Sequence, residues 1–139
     1  MSNTRYPIMY KGRSLGIVTL TIAQSLIGTI HVFSGLWLLA ASLSAEFVIS
    51  AQSPVVYSVY TFIFGFLTFI FASGIWLERS WGWIGTIAVS MFVVVADALT
   101  LAGLPSIPGI PRSAAVAEIV YSLIVVLYLF QPRVRMKYM

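Results

Sequence analysis

The stretch from Val55 to Ala102 reads VVYSVYTFIFGFLTFIFASGIWLERSWGWIGTIAVSMFVVVADALTLA. Two apolar runs, Val55–Leu77 and Trp81–Ala102, flank the short polar link Glu78-Arg79-Ser80. Each run is long enough for a transmembrane helix, which needs about 20 mostly apolar residues. So short a link forces the two helices to be antiparallel neighbours. This stretch therefore predicts a membrane hairpin.

Two further runs extend the pattern outward. One precedes the hairpin, from about Leu15 to Leu43, and one follows it, from about Ser113 to Phe130. Gln131-Pro132 ends the last run, because proline cannot continue a helix. The first run exceeds what a bilayer requires, so it tilts or extends into the outer interface. Ser42-Leu43-Ser44 before Ala45 resembles a signal-peptide cleavage site, but the apolar run is too long for a signal peptide. Leu104 to Pro111 holds three prolines and predicts a stiff, extended outer loop. Segment Glu46–Pro54 is mildly amphipathic and is expected to lie on the membrane surface.

Composition agrees with four spans. Of 139 residues, 60% are hydrophobic and 9% charged, against roughly 45–50% and 25% in soluble proteins. Mean hydropathy is +0.98. A small soluble domain has too little interior to hide that much apolar surface. Disorder, collagen and a nucleic-acid module are excluded. Cysteine is absent, which removes disulfides and thiolate metal centres. The expectation is a single all-α domain over residues 1–139. It is an antiparallel four-transmembrane-helix bundle, multi-pass in the cell membrane.

The basic residues predict its orientation. Arg5, Lys11 and Arg13 precede the first span, Arg79 lies in the inner turn, and Arg133, Arg135 and Lys137 follow the fourth. Only Arg112 falls on the other side. By the positive-inside rule both termini face the cytoplasm. Arg13, Arg79, Arg133 and Arg135 are the expected lipid-headgroup anchors, each worth about 1 kcal/mol against anionic lipid. This explains the pI of 9.7 without nucleic acid. Trp76, Trp81, Trp83, Tyr128 and Tyr138 at the inner side, with Tyr57 and Tyr60 at the outer, form an interfacial belt. The Phe-rich stretch Phe62–Phe71 covers more than one helix face and is expected to face lipid.

Small and polar residues mark the packing faces. The stripes are Thr21, Gln24, Gly28, His31, Gly35 and Ser42 in span one, and Ser58, Thr61, Gly65, Thr68 and Ala72 in span two. Span three gives Gly82, Thr86, Ser90, Asp97 and Thr100, and span four Ala114, Glu118, Tyr121 and Tyr128. Each follows the rhythm of left-handed helix packing. Gly28, Gly35 and Gly65 are the expected close-packing positions.

Three ionisable residues lie within the spans: His31, Asp97 and Glu118. Counted from the cytoplasmic ends they stand about 24, 24 and 18 Å up, all in the outer half of the bilayer. A buried acid costs at least ~2.5–3.5 kcal/mol, so each must face the interior or find a partner. A hydrogen-bonded network that fixes helix register is the simplest role. A proton or ion path and a metal site remain open. A metal site normally has a second His or an E-x-x-H pair, and neither is present. No phosphate loop, nucleophile elbow or other enzyme motif occurs, so no catalytic residue, cofactor or metal is assigned.

Three segments add a resemblance. They are Arg13-Ser14-Leu15-Gly16-Ile17-Val18-Thr19, Gly74-Ile75-Trp76-Leu77-Glu78-Arg79-Ser80-Trp81-Gly82-Trp83, and Tyr128-Leu129-Phe130-Gln131-Pro132-Arg133-Val134-Arg135. In this order they resemble an uncharacterised family of small, mainly archaeal four-helix integral membrane proteins. The resemblance implies fold and topology over most of the chain, and no catalytic residue. His31, Asp97 and Glu118 lie outside its pattern.

Two functions are expected. The first is a non-catalytic accessory subunit packed against other membrane protein subunits and lipid, in a respiratory or metal-dependent monooxygenase-type complex. The second is a small homo-oligomeric ion or proton transporter or channel that uses His31, Asp97 and Glu118, several copies enclosing the path.

Overall fold

A computed structural model describes residues 14–43 and 52–139. Arg5, Lys11 and Arg13 lie outside the described residues. So does most of the expected surface segment Glu46–Pro54, whose last three residues already belong to a helix. The elements are α1 (Leu15–Leu43), α2 (Gln52–Trp76), α3 (Ser80–Leu101), α4 (Arg112–Leu129) and a single turn, α5 (Pro132–Arg135). No strand occurs among the described residues, and α1 to α4 are long and apolar enough to cross a membrane. At 1.5 Å per residue α1 is roughly 43 Å long, against about 30 Å of hydrocarbon.

The helices run up, down, up and down. Gly28 meets Gly65 and Phe69, while Gly35 meets Phe62, so α1 and α2 pair in opposite order. Trp83 meets Leu129 at one end of the α3–α4 pair, and Asp97 meets Glu118 near the other. Outward faces are apolar: Ile22, Leu26, Ile30, Phe33 and Trp37 form one exposed stripe along α1. Water would penalise such a stripe, whereas lipid accepts it.

Backbones approach most closely between α1 and α2, then between α3 and α4 and between α2 and α3. Glycines make this possible. A Cβ on Gly28 would stand 2.9 Å from the Gly65 carbonyl oxygen, one on Gly35 2.6 Å from the Phe62 nitrogen, and one on Gly65 2.6 Å from the Val32 nitrogen. Gly74 and Gly82 form a second crossing, between α2 and α3, where a Cβ on Gly74 would stand 2.7 Å from the Gly82 Cα. In lipid such contact replaces the hydrophobic drive that water would supply. The α1 and α4 backbones do not meet this way, and their seam stays partly open.

Three of the expected stripes are inside. Those of α1, α2 and α3 are buried except for His31 and Thr100, which are half-buried. In α4 the buried residues are instead Ala115, Ser122, Val125 and Leu129. The expected set Ala114, Glu118, Tyr121 and Tyr128 is only half-buried. The α4 packing face is thus rotated by about one residue, or 100°. The polar stripe of α4 turns toward the open α1–α4 seam rather than onto α3.

One end of the bundle is sealed. Ile17, Leu20, Ile75, Val125 and Leu129 form an apolar cluster, closed from below by Val134 and Tyr138. Pro132 stops α4 as expected and then starts α5, at a first-turn position where its missing N–H costs nothing. The Tyr138 hydroxyl donates to the Ile75 carbonyl at 3.1 Å, and the Trp83 indole N–H to the Leu129 carbonyl at 3.1 Å. The Trp83 bond satisfies a carbonyl that the α4 C-terminus leaves open, and the Tyr138 bond adds to the one Ile75 accepts from the Glu78 N–H. Burial pushes the Tyr138 phenol up to about 12, so it remains a donor. These two residues cap the bundle from inside, in place of the expected interfacial role. Trp76 and Trp81 remain exposed, as an interfacial belt requires. Arg79, Arg133 and Arg135 are exposed at this same end, and Arg112 is exposed at the other.

The α2 and α3 C-termini close in the same way with different residues. After α3, Leu104 N–H donates to Leu99 and Gly103 N–H to Thr100, with Gly103 at φ 70°. After α2, Arg79 N–H donates to Gly74 and Glu78 N–H to Ile75, with Glu78 at φ 53°. A side chain in this left-handed position costs about 1 kcal/mol, and glycine does not incur it. Glu78→Gly is therefore expected to stabilise the protein by about that amount. A thermal midpoint in detergent that stays level or falls would refute this.

Candidate functional site

The α1–α4 seam holds the three intramembrane ionisable residues. His31 stands on α1, Glu118 on α4 and Asp97 on α3, so three helices meet there. His31 Nδ1 lies 2.8 Å from the Ile27 carbonyl oxygen. That oxygen only accepts, so Nδ1 carries the hydrogen. His31 Nε2 faces Glu118 Oε1 at 3.4 Å, a long contact. Behind it, the Asp97 carboxyl is close enough to interact with Glu118. Asp97 is fully buried, and neither of its oxygens has a donor partner, nor does Glu118 Oε2.

Proton counting follows from this geometry. Fully buried and close to a second carboxyl, Asp97 is stabilised in its protonated form. A second proton lies between Nε2 and Oε1, giving imidazolium against carboxylate or imidazole against carboxylic acid. Either way the chain His31–Glu118–Asp97 is neutral with two protons. This resolves the cost of burying two acids in the membrane.

The chain starts at a cleft. A cavity of about 420 Å³ opens between α1 and α4, with His31 and Glu118 in its wall. Ser34, Tyr57, Thr61 and Phe64 add to the lining, with apolar side chains such as Ile27 and Ala114. The side chains of His31 and Glu118 are 20% and 17% exposed, whereas Asp97 is sealed. Phe64 holds the imidazole edge-on, with ring centroids 5.0 Å apart. Below, a cavity of about 10 Å³ is lined by Gln24, Thr68, Thr86, Ser90, Tyr121 and Ser122, among others. That is room for about one water molecule. Gln24 Oε1, Thr68 Oγ1, Thr86 Oγ1 and the Tyr121 hydroxyl have no protein hydrogen-bond partner. A polar column therefore descends from the triad toward the apolar seal, which ends it.

The structure brings His31, Glu118 and Asp97 together. Gly28 and Gly35 flank His31 on α1 and meet α2, where a Cβ on Gly65 would stand 2.8 Å from the His31 Cβ. Arg79, Arg133 and Arg135 stand at the sealed bundle end and do not line the cleft. Sequence reasoning assigned Phe64 to lipid and Tyr57 to the interface, yet both line the cleft. Thr61 was legible in its stripe, but nothing in the spacing separates Phe64 from its lipid-facing neighbours Phe66 and Phe69. Among the described residues no group of three or more His, Cys, Asp or Glu is arranged to hold a metal ion.

No family model, curated protein or solved structure matches the chain.

Proposed function

We propose that the chain is a small membrane carrier whose proton-exchanging site is the His31–Glu118–Asp97 chain. The observation behind this is the adjacency of the three residues, from a cleft between α1 and α4 to a sealed carboxyl. Intramembrane ionisable residues in such an arrangement mark proton and substrate paths. The polar column has one closed end, so one-sided access favours a carrier over an open channel. Orientation belongs to the same proposal. With the arginine-rich end in the cytoplasm of the cell, the cleft faces the outer half of the cell membrane. Kinship with the small archaeal membrane proteins is likewise proposed, on the three segments quoted above.

Proton flux in liposomes tests the site. Flux is expected to fall about tenfold or more in both Asp97→Asn and Glu118→Gln, since either amide keeps a hydrogen bond but carries no exchangeable acid. Flux equal to the parent in both would refute the carrier.

A non-catalytic accessory subunit is the second proposal, favoured by one feature. A further cleft of about 350 Å³, sharing Tyr121, prolongs the α1–α4 seam toward Leu15. A partner helix lying along that seam would fill both clefts. The intact mass in mild detergent, with co-purified chains identified, decides it. A free monomer or homo-oligomer would exclude the accessory role.

A further inference from the structure

We propose that the α1–α4 cleft binds a lipophilic organic ammonium ion, which replaces the His31 imidazolium as the counter-charge of Glu118. This names the substrate class of the carrier proposed above and rests on it.

The size of the cleft is the first support. About 420 Å³ is within the range of small-molecule sites, and its wall is mostly apolar with a few converging polar groups. The second cleft beyond Tyr121, lined by Leu20, Ala23 and Ile124, has room for an alkyl tail.

Charge is the second. Among the described residues, the other ionisable groups in the cleft wall are an acid and two phenols: Tyr57 on α2, Glu118 and Tyr121 on α4, with Asp97 on α3 and Tyr60 on α2 near Glu118 behind them. Among the described residues no lysine or arginine lines the cleft. An anion would meet the Glu118 carboxyl, with Asp97 behind it, and among the described residues no cation except His31. A neutral ligand would leave the imidazolium where it is. An ammonium ion supplies N–H donors to a wall with a surplus of acceptors, and the Tyr57 and Phe64 rings suit a cation.

The exchange balances. Before binding, Nε2–H faces the Glu118 carboxylate. The incoming R–NH₃⁺ donates one N–H to Oε1 and one to Nε2, which has lost its proton to solvent. One cation enters and one proton leaves, so the net charge of the site is unchanged. Asp97 keeps its proton and acts through Glu118 as a positioning residue.

The test uses purified full-length protein in detergent with dodecylammonium as probe and dodecanol and dodecanoate as competitors. Binding and proton release are followed from about pH 5 to about pH 8, where imidazole titrates. Saturable dodecylammonium binding, not displaced by either competitor, is expected. Release approaches one proton per ligand at the acid end and falls as the pH rises. Glu118→Gln should weaken binding about tenfold or more, as expected for a lost charged hydrogen bond. Ala114→Leu fills the cleft and leaves every charge in place, so it should also lose binding while its thermal midpoint stays near the parent's. His31→Gln should still bind, more weakly, and release no proton, which a purely structural histidine would not explain. Dodecanoate binding as tight as dodecylammonium, or unchanged binding in Glu118→Gln, would overturn the proposal. So would a co-purified helix that cross-links to the protein through Ser34→Cys. Proton flux that depends on Asp97 and Glu118 without dodecylammonium binding would overturn the substrate class and leave the carrier standing. Binding with proton release but no residue-dependent flux would support the site and remove the carrier.

Discussion

Gly65→Val will not assemble the α1–α2 pair. The added Cβ alone would stand 2.6 Å from the Val32 nitrogen and 2.7 Å from the Gly28 carbonyl oxygen. Both are backbone atoms, so no rotamer change relieves the clash and the helices must part. Overpacking in a core costs roughly 1–3 kcal/mol when side chains can adjust. Here they cannot, so a loss of about 3 kcal/mol or more is expected. It would be measured as a fall in the thermal midpoint in detergent and a rise in the unfolded fraction. Phe66→Val is the control, because Phe66 is 54% exposed on the lipid side of the same helix. It should change stability by less than about 0.5 kcal/mol. Equal midpoints for the two variants would mean that the α1–α2 contact does not hold the bundle.

Opening the apolar seal is expected to make the protein leak protons. Leu20 and Val125 lie in the cluster that ends the polar column, and both are buried. A hydrophobic constriction blocks protons by excluding water. Leu20→Ser with Val125→Ser would join the column to the arginine-bearing end. Passive proton leak in liposomes should rise about tenfold or more above the parent. Each replacement also leaves a cavity, so folding is checked by thermal midpoint and Leu20→Ser is tested alone beside the pair. A folded double variant as tight as the parent would mean that the column does not conduct.

Much of this was legible in the sequence, for identifiable reasons. The four spans follow from the length a bilayer imposes, and the structure places α1 at the expected bounds with the other ends shifted by three residues or fewer. Small residues at helical spacing pointed to Gly28, Gly35 and Gly65 because only small side chains let backbones touch. The triad was legible as three residues at one depth. Its order, with Glu118 in the middle, was not, since depth does not fix rotation about the helix axis. The face of α4 was misjudged for a related reason. In a membrane a polar stripe marks what avoids lipid, and both a packing seam and a cleft avoid lipid. Tyr138 and Trp83 were assigned to the interface because an aromatic ring with a polar tip suits a headgroup and a helix carbonyl equally well. The restart of the chain as α5 was hidden behind Pro132, which both ends one helix and begins another.

The lateral opening of the α1–α4 seam has one more consequence. A solute that enters there is drawn from the bilayer, where its concentration is set by partition before Glu118 is reached. Each buried methylene is worth about 0.8 kcal/mol, so dilution into lipid multiplies its local abundance about fourfold per carbon. Along a homologous series, apparent aqueous affinity would climb by that factor while the headgroup contact stayed the same. Discrimination by tail length would then belong to the lipid, and discrimination by charge to the protein.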